Sequence, residues 1–263
     1  MRRELVAVLC LLFFETSIYS QWTEVERVKI DGIEHYDFDP SGSLYIATAN
    51  GSIVKYGQDG GLLLDYSPVR IAPIDDLKIS TQLKVFLFYE GLQEVVILDR
   101  WLRAPVNYRL GDFDLGFITN ICPNQQQNIW TLDMSDYSLK LIDPTRGLIL
   151  EVKSLAQVLG QKMPDVSYFR SHENLMYLGF DHRLLVFDVM GNIIKDIRIG
   201  VENFNMFREK IYWVESNKLQ VLDVFTGIQS EYDLPQKGIE EVLYNTKSLI
   251  VFSKEGFTIY KLS

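Results

Sequence analysis

Thirty-five carboxylates, three histidines and two cysteines define the chemistry this 263-residue chain can attempt. His35, His172 and His182 show no metal-ligand spacing, although His172 and His182 flank one hairpin; read singly, they are surface or hydrogen-bonded residues. Cys10 falls in an apolar N-terminal run. That leaves Cys122, at the end of the apolar stretch Phe117–Cys122, as a buried thiol with no partner for an intramolecular disulfide. No Gly-x-Ser-x-Gly elbow presents a serine, and no glycine-rich loop cradles a phosphate. Asp37-Phe-Asp39 is followed by Pro40, the pattern of a strand end and turn rather than of a calcium loop. The residues support no catalytic, metal or cofactor assignment. They leave recognition as the chemistry to explain.

The elements that must position any site follow from a motif that recurs six times: an apolar strand, a polar turn, and a second apolar strand that usually ends in Asp. These second members read Ile53-Val-Lys-Tyr56, Val95-Val-Ile-Leu-Asp99, Leu139-Lys-Leu-Ile-Asp143, Leu184-Leu-Val-Phe-Asp188, Leu219-Gln-Val-Leu-Asp223 and Phe257-Thr-Ile-Tyr-Lys261. The aligned end positions, Gly57, Asp99, Asp143, Asp188, Asp223 and Lys261, are 42, 44, 45, 35 and 38 residues apart. A period of about 40–50 residues with four short strands per unit specifies an all-β, six-bladed β-propeller. In the first unit the strands fall at Ile33–Asp39, Leu44–Ala49, Ser52–Gly57 and Leu62–Tyr66. They are joined by Gly-, Asn- and Ser-rich turns that tolerate positive φ. Aromatic and β-branched residues in the second strands are expected to fill the wedges between blades.

The sixth unit has three strands, Ile239–Tyr244, Ser248–Ser253 and Phe257–Leu262, and lacks a fourth. Thr23–Ile30 alternates like a strand yet has no blade of its own, so it is expected to pair with the last blade and close the ring. Within Lys153–Lys162, Leu155, Val158 and Leu159 share one helical face, which predicts a helix of one or two turns over the ring.

Residues 1–20 carry Arg2 and Arg3, an apolar run from Leu5 to Phe14 and a polar stretch to Ser20, the layout of a secretory signal peptide cleaved before Gln21. The run is too short to span a membrane. Leu9 stands before Cys10 where lipoprotein leaders have a small residue, so an unlipidated product is expected. Residues 21–263 then form one domain, with a net charge that stays at -9 after Arg2, Arg3, Glu4 and Glu15 are lost. That charge disfavours nucleic acid and anionic membrane surfaces as partners.

In such a ring the interblade loops and the turns between second and third strands crowd one face. Here they carry Asp75, Asp76, Glu90, Asp112, Asp114, Asp136, Asp165, Asp181, Glu202, Glu215 and Glu255, opposed chiefly by Lys162, Arg183, Lys218, Lys237 and Lys254. The imbalance focuses a negative potential suited to a basic protein surface. Tyr89, in the apolar turn Tyr89–Gln93, and Trp101, between Arg100 and Arg103 near the outer rim, are the candidate aromatic anchors.

Asp37-Phe-Asp-Pro-Ser-Gly-Ser-Leu-Tyr-Ile-Ala47 resembles the repeat of NHL and gluconolactonase-type propellers, although Thr48 stands where that repeat has an Asp. Ile211-Tyr-Trp-Val-Glu215 is similar to a YWTD-type blade. Leu219-Gln-Val-Leu-Asp-Val-Phe-Thr-Gly227 resembles the quinoprotein-like turn also found in the outer-membrane assembly lipoprotein BamB. Leu83–Leu102, with Ile129-Trp-Thr-Leu-Asp133 and Leu139-Lys-Leu-Ile-Asp143, looks most like uncharacterised exported propellers of Bacteroidetes-type Gram-negative bacteria. That resemblance implies a periplasmic or outer-membrane-associated setting and a role as an accessory subunit of secretion or assembly machinery. The expectation is a non-catalytic protein-binding propeller, monomeric outside its complex, whose partner is an outer-membrane protein. The alternatives are a metal-dependent lactonase-like hydrolase at the channel mouth and a soluble carbohydrate- or peptide-binding propeller.

Overall fold

Strands buried on both faces read as continuous apolar runs, and strands with one wet face alternate. Both patterns occur in this chain. Leu44–Thr48, Ile129–Asp133 and Ser138–Asp143 are buried at every position, whereas Leu148–Ser154 alternates exposed and half-buried residues. The computed structural model describes residues 22–69, 72–81, 84–159, 165–201, 203–239 and 241–262. The expected signal peptide, Lys162 and Glu202 lie outside them.

The described strands form six four-stranded antiparallel sheets, arranged as a propeller ring. The first blade comprises Ile33–Phe38, Leu44–Thr48, Ile53–Tyr56 and Leu62–Tyr66, within a residue or two of expectation. Blade six takes three strands from the C-terminus, Val242–Asn245, Ser248–Ser253 and Gly256–Leu262. Its outermost strand is Trp22–Lys29, running antiparallel to the last strand with Trp22 opposite Leu262 and Lys29 opposite Gly256. The closure read from the unpaired N-terminal strand is therefore present. It starts one residue earlier than expected, and that residue matters. Trp22 Nε1 donates to the Asp233 carbonyl of blade five at 2.8 Å, and its ring packs edge-on against Tyr232 and Tyr244.

Six apolar clusters hold the ring, each assembled from two neighbouring blades. The cluster of Tyr45, Ile53, Leu77 and Leu87 joins blades one and two, and that of Leu44, Ile46, Leu243 and Phe257 joins blades six and one. Burying a large apolar side chain contributes about 1.5–3 kcal/mol. The blades thus depend on each other rather than on cores of their own.

The Asp that marks the repeat has a local cause. Asp99 Oδ1 accepts from the amides of Trp101 and Arg103 at 2.9 and 2.8 Å. Asp143, Asp188 and Asp223 accept in the same way from the turns that follow them. Each carboxylate folds the turn into the outermost strand, so the repeated residue is a turn cap. The insertion after blade three holds a one-turn helix, Ala156–Leu159, with Leu155 and Val158 packed on the cluster between blades three and four.

Candidate functional site

Interblade connections and second-to-third-strand turns emerge on one face of the disc, and the remaining turns on the other. On the interblade face, five of the predicted acidic residues lie in one sector over blades two and three, whose central connection is made by a glutamine. Gln93 adopts a left-handed conformation, φ 48°, at the end of the short 3-10 turn Glu90–Leu92. Its side chain accepts from the Ile118 amide at 2.8 Å and donates to the Ile118 carbonyl at 2.7 Å, while its own carbonyl accepts from the Leu110 amide. One residue thereby ties the blade-two turn to both ends of the loop that carries Asp112 and Asp114. On the near side, Asp75 accepts from the Glu90 amide at 2.7 Å.

On the far side of the sector, Asp133 accepts from the Gly116 amide at 2.6 Å, and Lys140 bridges Asp133 and Asp136 at 2.7 and 2.9 Å. Burial pushes the Asp133 carboxyl up, but Lys140 and the amides of Gly116 and Ser135 more than offset this and hold it below the usual range. The close approach requires glycine, since a Cβ at Gly116 would lie 2.1 Å from Ser135 Oγ. Within this frame Asp75, Asp112, Asp114 and Asp136 are exposed and Glu90 half-exposed. Two apolar side chains stand among them, Leu92 and Phe117, 45% and 48% exposed. An apolar centre bordered by carboxylates on a hydrogen-bonded frame suits docking of a basic, partly apolar surface.

The other predicted residues lie elsewhere. Asp181 is exposed on the same face in the blade-four turn, beyond the reach of the Gln93 bonds. Asp76 lies at the channel and pairs with Lys78 at 2.9 Å. Tyr89, expected as a surface anchor, is 4% exposed: the strand runs on through it, and its ring sits in the wedge between blades one and two. Trp101 is 53% exposed under the Arg100 guanidinium, but it follows a third strand and so belongs to the opposite face. His172 and His182, which the hairpin spacing could have brought together, sit at opposite ends of blade four and hence on opposite faces. Cys122 is fully buried, which pushes its thiol up to about 12.

The central channel holds charges of which sequence reasoning had picked out only Asp76 as a site residue. At its interblade end is a cavity of about 470 Å³, lined among others by Glu34, Tyr36, Asp76, Tyr168 and Glu241. Its floor is an ion pair that crosses the ring, from Arg170 of blade four to Asp37 of blade one, with Asp37 also accepting from the Ile79 amide at 2.7 Å. Beside it, burial depresses the Lys78 ammonium, a pull that Asp76 opposes without cancelling. Beyond the pair a second cavity, about 290 Å³, opens to the other face. A charge inside otherwise apolar innermost strands, as in Asp76-Leu-Lys-Ile and Tyr168-Phe-Arg, was the available signal.

The fold and channel define a six-bladed β-propeller with a blocked axis. No family model matches the sequence, and no curated protein is similar to it. Among solved structures, the chain is similar to virginiamycin B lyase from Staphylococcus aureus (TM-score 0.58, 12% identity, 92% of this chain and 99% of that one). It is also similar to the extracellular domain of the putative hybrid two-component system BT4673 from B. thetaiotaomicron (TM-score 0.55, 20% identity, 88% of this chain and 34% of that one). A third similarity is to the WD40 domain of Neurospora crassa Pan2 (TM-score 0.59, 10% identity, 92% and 95%). At these identities the likeness is one of fold, and propellers carry both enzymes and binding platforms.

Proposed function

We propose that the protein is a non-catalytic binding propeller whose interblade face over blades two and three receives a basic, partly apolar protein surface. The observation that carries this reading is the Gln93 bridge, which presents Leu92 and Phe117 and the surrounding carboxylates on a preformed frame. A surface ordered before binding spares the partner's affinity the cost of ordering it. The setting we propose is the periplasm or the outer membrane of a Gram-negative cell, with the protein exported and acting as an accessory subunit of secretion or assembly machinery. The basic, apolar and polar order of residues 1–20 supports export, as does the fold's occurrence in the extracellular domain of the putative hybrid two-component system from B. thetaiotaomicron.

The test is affinity purification of the tagged protein from gently solubilised envelopes of its host, in wild-type form and as Asp114→Lys with Phe117→Ser. Stoichiometric recovery of an outer-membrane protein by the wild type, lost in the double variant at unchanged melting temperature, is the expected result. Equal recovery by both would move the interface elsewhere.

A second reading, a hydrolase at the channel mouth, rests on the polar cavity and its buried Lys78. Among the described residues, however, Glu34, Asp76 and Glu241 do not gather within metal-ligating distance of one another. Lys78→Met separates the readings, because it alters that cavity and leaves the docking patch intact.

A further inference from the structure

Facing away from the docking patch, the first-to-second-strand turns of blades four and five bring together three side chains that no other observation explains. Among the described residues, one imidazole nitrogen of His172 and carboxylate oxygens of Glu173 and Glu209 lie within 4.8 Å of one another. His172 and Glu173 come from the turn of blade four, and Glu209 from the matching turn of blade five. His172 Nε2 is buried without a hydrogen-bond partner, its approach to Glu173 Oε1 being 3.8 Å. Beside them the hydroxyl of Tyr177 is also buried and unpartnered, on a residue only 1% exposed. Tyr177 lines the same cavity as His172 and Glu173.

Two orphaned buried polar atoms next to two carboxylates are costly by themselves, since a buried polar atom without a partner has given up its hydrogen bonds to water and gained none in return. A cation resolves all four at once. We propose that His172, Glu173 and Glu209 bind a divalent transition-metal ion of the zinc class, with the Tyr177 hydroxyl hydrogen-bonded to a metal-held oxygen.

The donor set selects the ion: one imidazole with two carboxylates suits zinc better than calcium or magnesium, which favour all-oxygen ligands. The distances agree. Ligands at about 2.0–2.1 Å from zinc in a tetrahedral arrangement sit roughly 3.4 Å apart, so the three atoms need to close by little more than 1 Å at most. Glu173, exposed on its turn, has the freedom to supply that movement. Arg208, also at this cavity, has its guanidinium over the Phe207 ring, 5.4 Å from the centroid. Three protein ligands leave a tetrahedral position open towards the 290 Å³ cavity, so the ion would be reachable by an anionic group from that face. The ion would also join blades four and five. This site is independent of the docking patch, and its failure leaves that reading untouched.

The test is calorimetric titration of zinc into chelator-treated full-length mature protein, with cobalt absorption spectra as a second readout of the ligand field. The wild type should bind one equivalent, and His172→Asn and Glu209→Gln should each weaken binding at least about 10-fold. Tyr177→Phe should weaken it less and keep the stoichiometry. His182→Asn, on the other face, should bind like wild type. Each variant's metal-free melting temperature reports its fold, and if one histidine or glutamate variant fails to fold, the other decides. No saturable zinc binding by the wild type, or undiminished binding by folded His172→Asn or Glu209→Gln, overturns the proposal.

Discussion

Cys122 and Trp22 make the sharpest single-residue predictions. The Cys122 thiol is fully buried between blades three and four and pushed up to about 12, so it is neither accessible nor ionised at neutral pH. Alkylation by a maleimide should therefore be slow in the native protein and track unfolding; rapid labelling without loss of structure would refute the burial. Trp22 reaches from blade six to blade five through one hydrogen bond and the edge-on contact with Tyr232, and packs edge-on against Tyr244 of its own blade. Trp22→Ala should destabilise the protein by about 3–5 kcal/mol, and Trp22→Phe by less, measured by denaturant unfolding. Residue types were legible in part. The buried thiol could be read from the apolar run around Cys122, whereas Tyr89 was misplaced because its strand continues one residue beyond the expected turn. The Arg170–Asp37 pair joins residues 133 apart and leaves no local pattern to read.

At the scale of elements, the third-to-fourth-strand turns depend on Asp99, Asp143, Asp188 and Asp223. Asp188 is held below the usual carboxylate range first by the Asn192 amide side chain, and Asp223 first by the Thr226 backbone amide. A carboxyl depressed in the folded state stabilises at pH values above its unfolded pKa, about 3.9, and that stability is lost as pH falls through the folded value. Thermal melts should accordingly be flat from neutral pH to about pH 5 and fall steeply below about pH 4. Asp223→Ala should lower the melting temperature by about 2–4 °C and flatten that acid limb. These caps also explain why the repeat was readable: the strands vary, but a turn closed by side-chain capture of two amides asks for the same residue each time. The faces were less readable. Trp101 follows an Asp of this kind, which assigns it to the side opposite the acidic loops.

For the whole molecule, ring closure is the property most exposed to test. Removing residues 21–30 strips the outer strand from blade six and opens the contact with blade five. The melting temperature should drop by more than about 10 °C, and an unchanged midpoint would contradict the closure. Gly256→Ala should reproduce part of that loss, because its backbone has φ +140° and a Cβ there would lie 2.0 Å from the Val28 carbonyl. The number of blades and the pairing of the two ends were both legible, since an unmatched strand at one terminus and a three-stranded unit at the other specify each other. The shared blade also imposes an order in time. Trp22 is made some 240 residues before its partner Leu262, so while the chain between them is synthesised the opening strand waits, unpaired. No intermediate length of chain possesses a finished ring, and the blade that seals the circle is the last to acquire its native edge.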